Sequence, residues 1–214
     1  MSVIAFINQK GGSGKTTTAI HFAYWLAAKQ NHQVLLVDAD AQQSSSLWLE
    51  DMEPQIPYKV LQSPDEILEQ LPVLVEQCDY MVVDGPASLS ETTRSILFRA
   101  DLAVVPCQPT GVDLRSASDA VRLIKQAQSV RMGPPKAAVF LSRAVKGTKL
   151  KDEATTLLKQ TPGVPMLETV IHQKQAIADT SGQSATVWDL GSRPAAESGR
   201  EYDRLFKEVL AILT

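Results

Sequence analysis

The stretch from Val3 to Lys29 constrains this chain more than any other. An apolar run, Val3 to Asn8, leads directly into Asn8-Gln9-Lys10-Gly11-Gly12-Ser13-Gly14-Lys15-Thr16-Thr17, and an amphipathic helix is predicted from Lys15 to Lys29. Strand, glycine-rich loop and helix in that order form a phosphate cradle. Gly11, Gly12 and Gly14, with Ser13, let successive backbone N–H groups turn inward around an anion, and the helix N-terminus adds the positive end of its dipole. Lys15 is placed to reach the β- and γ-phosphates, and the Thr16 hydroxyl is placed for Mg²⁺. The nucleotide-binding set is therefore Lys10, Gly11, Gly12, Ser13, Gly14, Lys15, Thr16 and Thr17.

The rest of the chain repeats the alternation. Strand-like runs, apolar on both faces, fall at Gln33–Asp38, Tyr80–Asp84, Leu102–Pro106 and Ala137–Leu141. Helices are predicted at Ser63–Gln77, Ser88–Ala100, Asp113–Ser129 and from about Pro194 to Leu213, with capping boxes at Ser63–Glu66 and Ser88–Glu91. Ser44 to Ser46 are expected to cap a helix entering Leu47-Trp48-Leu49. The reading is an α/β fold: a doubly wound, mostly parallel sheet flanked by helices, with ligands at the carboxyl ends of its strands. No repeat or linker divides the 214 residues, so a single domain, 1–214, is expected. Two cysteines, Cys78 and Cys107, neither make a disulfide framework nor match a zinc spacing, and no apolar run approaches membrane-spanning length. The cellular expectation is a cytoplasmic protein.

Two further strand ends carry carboxylates. Val37-Asp38-Ala39-Asp40 sets Asp38 and Asp40 two residues apart, on the same face at the end of a strand. In Tyr80-Met81-Val82-Val83-Asp84-Gly85-Pro86, four apolar positions lead to Asp84, a Walker B pattern that holds Mg²⁺, and Gly85-Pro86 suits a segment that senses the γ-phosphate.

The loop departs from the common P-loop pattern: Gln9 stands where glycine is usual, and Lys10 follows within KGGSGKTT. This resembles the deviant Walker A loop of the ParA/MinD family of P-loop ATPases. The resemblance extends over the chain, through Asp38 to Gln42, Asp84 to Ala87, Pro106 to Thr110, and Ser142-Arg143, where many relatives carry asparagine–arginine. It implies a Mg-dependent, slow ATPase with ATP and Mg²⁺ as cofactors. It also implies a homodimer in the ATP state, in which Lys10 touches the partner's phosphates much as an arginine finger does. The implied catalytic set is Lys10, Lys15, Asp38 and Asp40. Asp40 would position the attacking water and Asp38 would join Thr16 and Asp84 at the metal, with the division between the two aspartates open. The chain starts almost at its first strand, so no N-terminal helix-turn-helix extension is expected. The nearest type is the short ParA-like protein that segregates plasmids or spaces carboxysomes over the nucleoid. Its partners would be non-specific double-stranded DNA and a cargo-bound adaptor (ParB-like or McdB-like), and its localisation nucleoid-associated.

Charge distribution bears on the DNA partner. Glu50 to Asp101 holds eleven acids and three bases, whereas Arg115 to Lys151 holds nine bases and Asp119 alone among acids. Arg122 and Lys125 lie on one face of a predicted helix, and Arg143, Lys146, Lys149 and Lys151 flank Gly147 in a predicted loop. These six are the candidate DNA contacts, able to neutralise phosphates without reading bases. Two other readings share the fold: a membrane-cycling MinD-like regulator and an ATP-dependent small-molecule ligase. Three acids against two bases in Glu201–Thr214 oppose binding to anionic lipid, and the ligase has no need of Lys10. His21, His32 and His172 are read as structural or surface residues, the three tryptophans as packing, and Gln173 to Thr180 as a segment that approaches the nucleotide or the dimer seam.

Overall fold

The computed structural model describes residues 1–160 and 163–213. Six parallel strands form one sheet in the order β3-β2-β4-β1-β5-β6. They are β1 (Ser2–Phe6), β2 (Val34–Asp38), β3 (Tyr58–Val60), β4 (Tyr80–Asp84), β5 (Leu102–Cys107) and β6 (Lys136–Leu141). Alternation along β1 shows why both faces must be covered. Val3, Ala5 and Ile7 enter one core cluster, while Ile4 and Phe6 enter the other. The first cluster is closed by α3 (Pro64–Leu74), α4 (Glu91–Arg99), α5 (Gly111–Arg131) and α6 (Lys149–Lys159). The second is closed by α1 (Lys15–Tyr24), α2 (Ser44–Glu50) and α8 (Arg193–Leu213), with α7 (Gln175–Gly182) joining them through Ala176.

The expected strands all appear, with ends shifted by a residue or two. β3 was not anticipated, because three residues centred on the charged Lys59 leave no apolar run to read. Two helices, α6 and α7, were likewise unforeseen, so Lys149 and Lys151 lie in the first turn of α6 rather than in a loop. The predicted capping box at Ser63 is present, with its hydroxyl accepting from Glu66 N–H and the Glu66 carboxylate accepting in return. The one at Ser88 is not. That helix starts later, with Ser90 at its N-cap, and the Ser88 carbonyl instead accepts the Thr93 hydroxyl. In α2, Ser44 is already helical and Gln43, at φ 52°, takes the cap position. The first helix keeps its predicted length, but Trp25–Lys29 winds as a π-helix.

α8 buries Tyr202, Leu205, Phe206 and Val209 at helical spacing against Phe22 and Trp25. Each such side chain contributes about 2 kcal/mol of hydrophobic stabilisation. The apolar stripe of the terminal helix is thus spent on the core. Among the described residues no helix is long and apolar enough to cross a membrane. Cys78 and Cys107 are buried and free.

Candidate nucleotide-binding site

The carboxyl ends of β1, β2, β4, β5 and β6 bring their loops to one edge of the sheet, where open α/β folds bind ligands. A cavity of about 340 Å³ opens there, walled at one end by Gly12 and Gly14–Thr17. The loop turns through Gly14 at φ 99°, and a Cβ at that position would stand 2.6 Å from the Ser142 hydroxyl. Glycine is therefore required twice over, by conformation and by space. At the exit of β4, Gly85 is required by space alone. A Cβ there would meet the Phe6 carbonyl at 2.8 Å, so β1 and β4 close up side by side.

Lys15 is buried, and its ammonium donates to the Lys10 carbonyl at 3.3 Å. Burial lowers its pKa, while the charges of Asp84 and Asp40 act to raise it. Asp84 lies fully buried with neither carboxylate oxygen hydrogen-bonded, and the Ser13 and Ser45 hydroxyls are likewise without partners. Burial lifts the Asp84 carboxyl to about 7, with the nearby Thr16 hydroxyl and Lys15 charge lowering it and Asp38 raising it. An orphaned carboxylate beside a threonine hydroxyl is a hard-oxygen donor pair. It fits Mg²⁺, which takes one or two protein oxygens and completes its octahedron with phosphates and water. Among the described residues no cluster of three or more His, Cys, Asp or Glu side chains offers an all-protein metal cage.

The two β2 aspartates are separated by their partners. Asp38 pairs in register with Asp84 and is fully buried, its oxygens accepting the N–H groups of Asp40 at 3.1 Å and Ser46 at 2.8 Å. Its carboxylate thereby shapes the turn into α2. Asp40 is partly exposed, accepts the N–H of Gln42 at 3.0 Å, and reaches across to accept that of Ala87 at 3.0 Å. It ties the end of β2 to the segment that follows Asp84.

Lys10 does not line the cavity. Its amine lies 2.7 Å from Asp113 in the first turn of α5, with the Lys10 side chain 37% exposed and the Asp113 side chain sealed. Asp113 also accepts the Thr110 hydroxyl, and its other oxygen has no partner. The Gln108 amide, at the exit of β5, donates to the Gly12 carbonyl at 2.7 Å.

Opposite the loop, the cavity wall is a strap running from Ile171 to Gln175 and on into α7. Ile171 N–H donates to Leu141, and Ala144 N–H to Ile171, so the strap lies alongside the chain leaving β6. Arg143, at φ 52°, donates from Nη1 to the Gly12 carbonyl at 2.9 Å and lines the same cavity. Its place in the lining sets it apart from Lys146, Lys149, Lys125 and Arg122, which are likewise exposed but line no part of the cavity, with Arg122 paired to Asp119 at 3.1 Å and Lys151 to Asp152 at 3.0 Å. His21 is a structural histidine. Fully buried, its Nδ1–H donates to Thr17 O and its Nε2 accepts Val187 N–H, and burial holds its pKa at about 4. His172, by contrast, lies in the cavity wall and contacts Glu201, a placement that no local spacing announces.

The nucleotide-binding domain described as CobQ/CobB/MinD/ParA matches residues 4–187. The chain belongs to that family. It is 31% identical over 210 residues to maintenance of carboxysome distribution protein A of Gloeobacter kilaueensis, covering 97% of this chain and 93% of the relative. It is 28% identical over 242 residues to the chromosome-partitioning ATPase Soj of Thermus thermophilus, covering 97% and 95%. In structure it resembles an ATP complex of a Cyanothece McdA variant, with TM-score 0.80 and 18% identity over 99% of this chain and 97% of the other. The ParA/MinD-type P-loop fold expected from the loop is therefore the fold of this protein, and the cavity over Gly12–Thr17 is the candidate nucleotide site.

Proposed function

We propose that this protein is a Mg-dependent, slow ATPase whose ATP-bound form is a sandwich homodimer that associates with non-specific DNA and positions a large cargo. Stimulation would come from an adaptor on that cargo. The observation that carries the reading is the position of Lys10. Its amine stands outside its own loop's cradle, half-exposed and held by Asp113. A cation kept beside a phosphate site without entering it is suited to serve a second subunit's nucleotide, where it would stabilise charge developing on the transferred phosphoryl group. The relatives' names, carboxysome distribution and chromosome partitioning, supply the class of cargo.

Within one chain, the loop N–H groups and Lys15 would bind the β- and γ-phosphates, and Thr16 with Asp84 would hold Mg²⁺. When bound, Mg²⁺ would neutralise negative charge on the phosphates. Asp40 is the residue placed to orient a water, because it is partly exposed whereas Asp38 is fully buried, although the oxygens of both accept backbone N–H groups. Asp40 also holds Ala87, so loss of the γ-phosphate would be felt by the segment after β4 and, through it, by the subunit seam. DNA contact is assigned to Lys125, Lys146 and Lys149, with Arg122 and Lys151 partly neutralised by their neighbours and Arg143 committed to the nucleotide wall.

Light scattering of Asp40→Ala in Mg-ATP tests the assembly. A dimer that reverts to monomer when Lys10→Ala is added supports the proposal. A monomer at every ATP concentration overturns it. Retention on random-sequence duplex DNA should require ATP and fall steeply between 50 and 200 mM salt, on the order of tenfold or more for a few phosphate contacts.

A further inference from the structure

We propose that Glu201 of α8 is the positioning residue for the nucleoside half of the cavity, acting through the Ile171–Gln175 strap. The inference rests on reading this cavity as a nucleotide site. The P-loop end takes the phosphates, so the strap end must take the ribose and base. That end is built from chain with little secondary structure of its own, the strap, whose backbone holds to the chain leaving β6 through Ile171 N–H to Leu141, Ala144 N–H to Ile171 and Gln173 N–H to Ala144. What ties its side chains to α8 is one carboxylate. Glu201 Oε2 accepts the backbone N–H of His172 at 3.0 Å, while Oε1 meets His172 Nδ1 at 3.0 Å and Lys174 Nζ at 2.9 Å. All three side chains are mostly buried, with 12% exposure at Glu201, 23% at His172 and 18% at Lys174.

The geometry is asymmetric in a useful way. His172, Lys174 and the next residue on α8, Tyr202, line the cavity, whereas Glu201 itself does not. Glu201 thus fixes the backbone of His172 and the direction of Lys174 from behind, and touches no ligand. Charged hydrogen bonds in a site of this burial are strong and directional. α8 is in turn immobilised by Tyr202, Leu205 and Phe206 in the core, so the strap is tied to a rigid element. Loss of Glu201 leaves the phosphate cradle intact and lets the opposite wall relax.

The test separates the two ends of the ligand. Calorimetric titration of the full chain in Mg²⁺ compares ATP with inorganic triphosphate, which needs only the P-loop end. For Glu201→Ala we expect ATP affinity to fall about tenfold (~1.4 kcal/mol), with triphosphate affinity within about twofold of wild type. Glu201→Gln, which keeps an acceptor for His172 N–H and loses the ion pair with Lys174, should fall between them. Should Glu201→Ala fail to fold, Glu201→Gln carries the same comparison. Equal weakening of ATP and triphosphate would mean general loosening of the fold and would overturn the proposal, as would unchanged ATP affinity. A wild-type chain that binds triphosphate but gains nothing from the nucleoside would also overturn it. A wild-type chain that binds neither would instead defeat the nucleotide reading itself.

Discussion

The two ends of the nucleotide cavity are built on opposite principles. At the phosphate end, three segments leave polar atoms without partners: both Asp84 oxygens at the end of β4, the Ser13 hydroxyl of the loop and the Ser45 hydroxyl of α2. At the strap end, two segments satisfy one another, with His172 and Lys174 of the strap closed into a network with Glu201 of α8. Unpaired buried charge costs stability, so the first end is held in a poised state that a phosphate and a cation would relieve. The second end is already relieved and serves as a fixed wall. Binding free energy is thus concentrated where charge is delivered, while shape is set where nothing remains to be neutralised.

The contrast can be broken most severely at Lys15. Lys15→Ala should reduce affinity for both ATP and inorganic triphosphate by on the order of a thousandfold, since it removes the buried cation that meets the phosphates. Calorimetry with the two ligands shows whether the phosphate end dominates as the geometry requires. A loss confined to ATP would reverse the assignment of the two ends.

Next comes the cost of the poised state. The Asp84 carboxyl is raised to about 7, so the folded chain binds a proton there that the unfolded chain has released above about 4. Stability contributed by this site therefore declines as pH rises from about 4 through 7. Asp84→Asn, measured without nucleotide, should raise the melting temperature by on the order of 5 °C at pH 8, and by little at pH 4. The same variant should lose Mg-dependent turnover. An unchanged melting point at pH 8 would mean the carboxylate is compensated.

His21 sharpens the comparison as a buried group with both ring nitrogens partnered, linking Thr17 of the loop helix to Val187. Its pKa is depressed to about 4 in the folded chain, so the unfolded chain binds more protons between about 4 and 6.5. Stability should therefore fall as pH drops through that window, by about 2–3 kcal/mol from this group. Denaturant titrations at pH 7 and pH 4.5, with His21→Gln as control, report its share.

The smallest effect is expected at Asp113. Asp113→Asn removes the charge that holds Lys10 and should favour the ATP-state dimer about threefold, read as a lower dimer dissociation constant for Asp40→Ala carrying it. Weaker dimerisation would show that Asp113 presents the lysine rather than restrains it.

These outcomes reflect how differently the parts were legible. The loop, Asp38, Asp40 and Asp84 could be read because each stands at the end of an apolar run, and the covalent chain alone puts Lys15 a fixed distance from Gly12. The sheet could be read for the same reason: strands buried on both faces must be continuously apolar. β3 escaped, with Lys59 at its centre and only an edge to occupy. The Ser88 capping box matched in sequence and failed in space, since the helix starts two residues later, with Ser90 at its N-cap.

Local chemistry along the chain was enough to mark one loop as the candidate phosphate cradle. It could not determine what faces that loop. Lys10 meets Asp113 across 103 residues, Glu201 meets Lys174 across 27, and Arg143 meets Gly12 across 131. Such pairs carry no periodic signature, because each charged partner alone reads as an ordinary surface charge. Only packing of the helices on the sheet brings them within hydrogen-bond distance, and burial there turns a solvated charge into one that must be paired.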